Sequence, residues 1–188
     1  MKKEDIRRHV KAQKMLLSEE EKSRSAKAVF DMLEKTAAFL MSENILMYHS
    51  LPDELSTHRF IEKWHSSKHF FLPRVNGLNL EILPFDKSRM KLGAFQIEEP
   101  QGNDTVSVRD IDLIIVPGVG YDSRGNRVGR GKGYYDRLLA ETNATKIGVA
   151  YDFQIVDSIE TDSHDERVDI VITDRCYYHA RSNRKIKF

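Results

Sequence analysis

The stretch DLIIVPGVGYDSRGNRVGRGKGYYDRLL, residues 112–139, decides the fold of this chain. It begins with a nearly uninterrupted apolar run over residues 112–116, which is typical of a strand buried on both faces of a parallel sheet. A glycine-rich loop follows to residue 133, and the pattern after it predicts a helix over about residues 134–141. A strand, a loop and a helix in this order indicate an α/β fold.

The rest of the chain repeats this alternation. Ser18 and Glu21 form the sequence pattern of a capping box, which predicts a helix to about Leu33. A rough helical spacing precedes it over residues 4–17, and another helix is predicted from Ser56 or Thr57 to about Trp64. We therefore predict one Rossmann-like α/β domain over residues 1–188, with a mostly parallel central sheet flanked by helices. The remaining strands are predicted at residues 44–49, 69–72 (ended by Pro73), 78–83 (ended by Pro84), 147–150 and 169–173.

The composition limits the classes of function. The chain has 188 residues, with 30 basic and 29 acidic side chains, a balance that argues against a nucleic-acid coat. Its one cysteine, Cys176, excludes an intramolecular disulfide and a cysteine-based zinc cluster. No apolar run approaches the roughly 20 residues of a membrane span, and the amino-terminal residues lack the features of a signal peptide. We expect a cytoplasmic monomer that binds neither nucleic acid nor membrane.

The glycine-rich loop is the strongest candidate for a binding site. Six of the ten glycines lie within residues 118–133, together with the cations Arg127, Arg130 and Lys132. Glycine allows positive φ and close backbone approach, and a loop between a buried strand and a helix is where α/β proteins hold phosphate. The GxxxxGK[ST] and GxGxxG motifs are both absent. A charged surface loop without a ligand is the alternative that composition alone leaves open.

The run GNRVGRGKGYYD, residues 125–136, resembles the signature of the 5-formyltetrahydrofolate cyclo-ligase family, also called 5,10-methenyltetrahydrofolate synthetases. Shorter matches occur in the right order at Lys3 and Arg7 and at residues 52–54, 72–74, 112–118 and 168–169. The resemblance implies that 5-formyltetrahydrofolate, with or without a polyglutamate tail, and ATP react with magnesium to give 5,10-methenyltetrahydrofolate, ADP and phosphate. Phosphorylation of the formyl oxygen, followed by attack of folate N10, would explain why ATP is needed.

Positioning and charge stabilisation should supply most of the catalysis in such a phosphoryl transfer. Arg130 and Lys132 fit the catalytic cationic role. The resemblance also assigns ATP phosphates to Lys3 and Arg7, although their spacing alone favours a solvated basic helix face. It places the remaining ATP contacts on Arg127, Val128, Gly129, Arg130, Gly131, Lys132, Gly133, Tyr134 and Tyr135.

The resemblance further implies a folate site and a metal site. Glu54 would hold the pterin ring, and His49 stands where the family commonly has an apolar residue beside the folate. Asp136 and Asp169 would bind magnesium, since carboxylates suit this hard cation. Without the resemblance, a surface glutamate, a helix cap and a turn aspartate explain these three carboxylates better. The remaining folate contacts that the resemblance implies are Arg130, Gly131, Lys132, Gly133 and Tyr134.

Two other classes of function remain possible from the sequence. One is an enzyme that needs no ATP, such as a sugar-phosphate isomerase or a transferase on a similar sheet, because fold does not fix function. The other is a nucleic-acid-binding module that uses residues 124–132 as a basic patch. The near-neutral net charge and the lack of interleaved aromatic residues argue against the second class.

Overall fold

The fold is built on an eight-stranded sheet, in a computed structural model that describes residues 1–93, 98–180 and 184–187. Three antiparallel strands extend a parallel centre at its two edges. In spatial order, the sheet consists of β3 (Asn79–Pro84), β2 (His69–Asn76), β1 (Asn44–Leu46), β6 (Leu113–Val116), β9 (Thr145–Ala150), β11 (Ile170–Thr173), β12 (Cys176–His179) and β13 (Arg184–Lys187). The five strands from β2 to β11 run parallel to one another.

The described residues also form two small sheets and five α-helices, besides short 3-10 turns. The first small sheet contains β10 (Ile155–Val156), β7 (Gly120–Asp122) and β8 (Arg127–Val128), and the second pairs β4 (Met90–Leu92) with β5 (Glu98–Pro100). The helices are α1 (Lys3–Lys14), α2 (Glu19–Leu33), α3 (Ala37–Met41), α4 (His58–Trp64) and α5 (Tyr134–Leu139). None of the described helices is long and apolar enough to cross a membrane.

Strand β6 explains why the apolar run in the sequence is continuous. Leu113 and Ile115 point into a core shared with α2, α3 and α4, whereas Ile114 and Val116 point into a core shared with α5. Successive side chains of a strand face opposite sides, so a strand covered on both faces needs apolar residues throughout. All four residues of β6 are fully buried. The sheet therefore carries helices on both faces.

The α/β class and the parallel centre of the sheet are confirmed, and the antiparallel edge strands qualify the expectation of a mostly parallel sheet. The capping box of α2 is also confirmed, because Ser18 and Glu21 each accept the other's backbone N–H. Neither α3 nor the edge strands β12 and β13 had been predicted. The region expected to be an open loop contains the short strands β7 and β8.

The prediction that Pro73 ends its strand is wrong, whereas Pro84 does end β3. Strand β2 continues through Pro73 to Asn76, and Pro84 is the last residue of β3. Strand β1 pairs with β2 only as far as Phe71. Beyond Phe71, one side of β2 has no paired strand, so no carbonyl group there requires a backbone N–H from β2. Proline is tolerated at such an edge position because its missing N–H goes unused.

Candidate active site

A cleft of about 640 Å³ lies at the edge of the sheet where the parallel strands end, and we call it the cationic cleft. Val119 and Tyr151, which follow β6 and β9, line it together with the last two turns of α1. Ligands of open α/β sheets bind at this carboxyl edge of the strands. Asp53 is the one carboxylate among the described lining residues. Five cations line the same cleft: Arg7, Lys11, Lys14, Lys22 and Arg130.

A second cleft of about 750 Å³ lies between α2, α4 and the segment that follows β1, and we call it the α2–α4 cleft. Phe30 and Phe60 give it an apolar floor, while His49 and Glu54 contribute polar groups to its wall. The two clefts are neighbours, because Lys22 and Pro52 line both of them.

Arg130 lies where the two clefts meet. Its guanidinium donates to both carboxylate oxygens of Asp53, at 2.9 and 3.0 Å, and to Oε1 of Glu54 at 3.0 Å. Asp53 lines the cationic cleft and Glu54 lines the α2–α4 cleft. Burial raises the pKa of Asp53, but Arg130 and Lys14 outweigh it and hold the pKa below its usual value. The glycine-rich loop is thus tied to the segment at residues 52–54.

Helix α1 holds the same loop from the other side. Arg7 donates from Nε to the carbonyl oxygen of Gly129 at 2.9 Å. Gly131 has φ = 100°, a conformation that L side chains rarely adopt, so the turn before Lys132 requires glycine. Lys132 itself is exposed. Helix α5 follows with only six residues, which is shorter than predicted.

Two loop residues expected to contact ATP direct their side chains into the protein. The side chain of Arg127 is 4% exposed and donates to Asp136 at 2.9 Å and to the carbonyl of Pro117 at 3.2 Å. Val128 is fully buried in a core with Ile6 of α1. A ligand in the cationic cleft could therefore reach Val128 only through its backbone.

The two carboxylates expected to bind magnesium both accept backbone hydrogen bonds. Oδ1 of Asp136 accepts from Arg127 and from the backbone N–H of Glu166 at 3.3 Å. Oδ2 of Asp169 accepts from the backbone N–H of Lys146 at 2.9 Å. Neither carboxylate lines the cationic cleft, and Asp169 directly precedes β11, at the amino end of the parallel strands, whereas the cleft lies at their carboxyl edge.

The two α1 cations expected to bind ATP lie in different surroundings. Arg7 lines the cationic cleft, whereas Lys3 donates to Asp162 at 2.7 Å and to Asp165 at 2.6 Å. These carboxylates outweigh the effect of burial and raise the pKa of Lys3 above its usual value. Lys3 therefore fastens the start of α1 to the segment before β11.

The histidine and the two tyrosines predicted at the site have different surroundings. His49 stacks on His58 with ring centroids 4.0 Å apart, and its Nδ1 lies 3.5 Å from Glu98. Burial, with a further contribution from His58, lowers the pKa of His49. The hydroxyl of Tyr135 is buried and has no hydrogen-bond partner within the described ranges, whereas Tyr134 packs against Arg137.

Sequence reasoning missed four of the charged residues that line the cationic cleft. They are Lys11, Lys14, Lys22 and Asp53. The signal for two of them was present, since Lys11 and Lys14 continue the helix face of Arg7 at spacings of four and seven residues. Asp53 precedes the glutamate that was selected, and no pattern in the sequence distinguished the two.

A cationic cleft at the carboxyl edge of a parallel sheet, joined to a larger and partly apolar cleft, fits an α/β enzyme that acts on a phosphate-bearing substrate together with a larger one. The model of the 5-formyltetrahydrofolate cyclo-ligase family matches residues 1–174. This chain belongs to the 5-formyltetrahydrofolate cyclo-ligase family, the ATP-dependent ligases that convert 5-formyltetrahydrofolate to 5,10-methenyltetrahydrofolate. The resemblance inferred from the sequence is confirmed.

Individual relatives agree with the family match. The 5-formyltetrahydrofolate cyclo-ligase of Mus musculus is 30% identical over 187 residues, which cover 90% of this chain and 92% of the relative. The cyclo-ligase of Escherichia coli K12 is 28% identical, over 71% of this chain and 79% of the relative. The solved 5,10-methenyltetrahydrofolate synthetase of Aquifex aeolicus is 33% identical, with a TM-score of 0.87 over 99% of this chain and 96% of that one. The synthetase of Mycoplasma pneumoniae is 26% identical, with a TM-score of 0.76 over 93% and 99% of the two chains.

Proposed function

We propose that this chain performs the cyclo-ligase reaction where its two clefts meet, with ATP in the cationic cleft and 5-formyltetrahydrofolate in the α2–α4 cleft. The observation that carries this proposal is the contact of Arg130 with both Asp53 and Glu54, one from each cleft. A reaction that transfers a phosphoryl group between two bound molecules needs both of them at one boundary.

The chemistry follows from the poor reactivity of a formamide. Electron density from folate N5 makes the formyl oxygen nucleophilic, and this oxygen attacks the γ-phosphorus of ATP, so that ADP leaves. The product is an iminium phosphate with an electrophilic carbon. N10 attacks that carbon, N10 loses its proton and inorganic phosphate departs with the former formyl oxygen. Protein groups need only orient the reactants and stabilise the transferring charge.

Arg130 and Lys132 are the proposed catalytic cations. Arg130 lies at the boundary of the clefts, and Lys132 is exposed on the loop that Arg7 fastens to α1. A lysine ammonium is a compact charge that can follow a moving phosphoryl group, while the guanidinium of Arg130 can hold oxygens in two directions. Backbone groups of residues 127–135 would complete the nucleotide contacts, together with Arg7 and with Lys3 if it leaves its carboxylate partners.

Asp136 and Asp169 are the proposed magnesium ligands, and the surroundings of Asp136 support the first of them. Both described hydrogen bonds to Asp136 fall on Oδ1, and none of the described residues donates a hydrogen bond to its Oδ2. Arg127 fixes the orientation of this carboxylate. Asp136 and Asp169 would hold the ion, which would supply charge neutralisation on the phosphates. This donor set, two carboxylates completed by phosphate and water, is the one magnesium usually takes.

The α2–α4 cleft suits an extended folate, including one with a polyglutamate tail. It follows one face of α2, whose 15 residues span about 22 Å at 1.5 Å per residue. Glu54 would accept the pterin N–H donors, held in place by the backbone N–H of Leu51 at 2.9 Å. His49 would pack beside the folate. Arg59 also lines this cleft and, among the described residues, has no ion-pair partner, so it could bind a tail carboxylate.

The direct test is an absorbance assay for the methenyl chromophore. Purified protein with 5-formyltetrahydrofolate and magnesium-ATP should form the chromophore and release one phosphate per turnover. Oxygen-18 in the formyl group should appear in that phosphate. Omission of ATP should abolish the signal, and product formation without ATP would favour the ATP-independent class of enzyme.

The proposal also covers the location, the oligomeric state and the partners of the enzyme. We propose that the chain acts as a cytoplasmic monomer without nucleic acid or membrane partners. Its nearly balanced charge supports the absence of a nucleic-acid partner. Sedimentation at working concentration checks the monomer. Steeply salt-dependent binding to oligonucleotides would instead favour the nucleic-acid-binding alternative.

A further inference from the structure

The last residue of α1 carries an ammonium group to which the reaction described so far gives no role. Lys14 lines the cationic cleft, and its side chain is 12% exposed. Its Nζ lies 3.6 Å from Oδ2 of Asp53, which is longer than a hydrogen bond. Arg130 reaches the same oxygen at 3.0 Å. Lys14 therefore carries a charge that is largely removed from water. Its carboxylate partner, Asp53, lies beyond hydrogen-bond distance and also pairs with Arg130.

Helix geometry places Lys14 at the end of a row of cations. Arg7, Lys11 and Lys14 are spaced by four and three residues, so they share one face of α1 and together line the cationic cleft. The row is about 10 Å long at 1.5 Å per residue. It ends at Lys14 beside Asp53, where Arg130 also lies. A chain of linked phosphates lying along α1 would meet these three cations in turn.

The electrostatic surroundings of Lys14 favour an incoming anion. Burial lowers the pKa of Lys14, and the opposite charges of Asp53 and Glu54 only partly offset this effect. Arg130 faces the same group and lowers the pKa further. A bound phosphate would add negative charge at this position. A lysine suits this role because its ammonium is a point charge with three donors.

We propose that Lys14 is a phosphate-binding residue of the nucleotide site and that Asp53 positions it beside Arg130. This inference rests on the proposed function, because it takes the cationic cleft as the site of ATP. Phosphates would replace the long contact to Asp53 with hydrogen bonds from Nζ. Asp53 would continue to hold Arg130 at the boundary with the α2–α4 cleft.

Substitution of Lys14 tests this directly by nucleotide binding without folate. The measurement is calorimetric titration of a non-hydrolysable ATP analogue with magnesium. Lys14→Met keeps an unbranched apolar stem and removes the charge, so the dissociation constant should rise about 10- to 100-fold. Lys14→Arg should recover part of the affinity. Arg8→Met removes a charge from the same helix, but Arg8 is exposed and paired with Asp5, so the constant should stay within about twofold.

Folate binding and thermal unfolding separate this role from a structural one. 5-Formyltetrahydrofolate alone should bind Lys14→Met as it binds the parent. Unchanged affinity for the analogue would overturn the inference, and so would an equal loss for both ligands. If Lys14→Met unfolds, Lys14→Gln replaces it, and failure of both to fold would show a structural residue. A parent that binds the analogue in this cleft but forms no methenyl product would contradict the proposed function alone.

Discussion

The two clefts on this enzyme differ in how their charges are compensated. In the α2–α4 cleft, Lys27 pairs with Asp31 and Lys63 pairs with Glu34, over a floor of buried phenylalanines. The cationic cleft has five cations against Asp53 as its single described carboxylate. A compensated, partly apolar cleft suits a large ring-bearing ligand, whereas an excess of cations suits phosphates. The difference indicates which substrate each cleft binds, and Arg130 marks where they meet.

The largest effect is expected at Lys132, which is exposed on the glycine-rich loop two residues after Arg130. Lys132→Ala should lower kcat by roughly 10²–10³ at saturating substrates, because it removes a charge needed mainly in the transition state. Thermal stability should barely change, since the side chain is exposed. Lys132→Arg should recover only part of the rate. Turnover of Lys132→Ala at the parental rate would leave Arg130 and the loop backbone as the catalytic groups.

Glu54→Gln should weaken folate binding in the α2–α4 cleft and leave ATP binding in the cationic cleft nearly unchanged. The loss of a charged acceptor for the pterin should cost about 1.5–3 kcal/mol, or roughly 10- to 100-fold in the KM for folate. Arg130 keeps its two bonds to Asp53, so the KM for ATP should change much less. Steady-state kinetics with each substrate varied in turn measures both constants. A defect confined to ATP would contradict the assignment of Glu54 to the folate.

Asp136→Asn should change two properties at once. It should raise the magnesium concentration needed for half-maximal activity, because it removes a charge from the proposed metal site. It should also lower the free energy of unfolding by about 1.5–3 kcal/mol, since the buried Arg127 loses its charged partner. The sequence alone does not show this ion pair.

The control for this substitution is Asp157→Asn, which removes a carboxylate at an exposed position. It should change neither the magnesium requirement nor the thermal midpoint. A stability loss in Asp136→Asn without a change in magnesium requirement would make Asp136 a structural partner of Arg127 rather than a metal ligand.

The smallest effect is expected from a matched pair of glycines. Gly131 in the glycine-rich loop and Gly77 in the turn between β2 and β3 both have positive φ and room for a methyl group. Alanine at either position should cost about 1–2 kcal/mol of stability through backbone strain. Only Gly131→Ala should also lower kcat, because the strain would displace Lys132. Equal kcat values for the two variants would show that the loop geometry is not important for turnover.

The fold was predictable where the sequence pattern reflects burial on both faces of an element. The run at residues 112–116 and the Ser18 capping box identified β6 and α2 because local chemistry alone requires those structures. The antiparallel strands β12 and β13 at one edge of the sheet were missed, although they pair with strands next to them in sequence, whereas β3 at the other edge was predicted. Pro73 was interpreted as a strand end because the sequence does not reveal that this part of β2 has no paired strand on one side.

The candidate site was predictable as a loop but not as a pair of clefts. The glycines and cations of residues 125–136 marked the loop without any structure. The role of Arg127 as a buried partner of Asp136 depends on the β7–β8 turn bringing them together. The engagement of Lys3 by Asp162 and Asp165 likewise joins residues about 160 positions apart. Such contacts are set by tertiary packing, which spacing along a helix does not show.

The most direct test of the two-cleft account is hydrogen–deuterium exchange of the enzyme with each ligand alone. 5-Formyltetrahydrofolate should protect backbone amides in α2 and in residues 49–63. The non-hydrolysable ATP analogue with magnesium should protect α1 and residues 127–135. Residues 51–54, which border both clefts, should be protected by either ligand. Protection of α1 by 5-formyltetrahydrofolate, or of residues 55–63 by the nucleotide, would contradict the assignment of one substrate to each cleft.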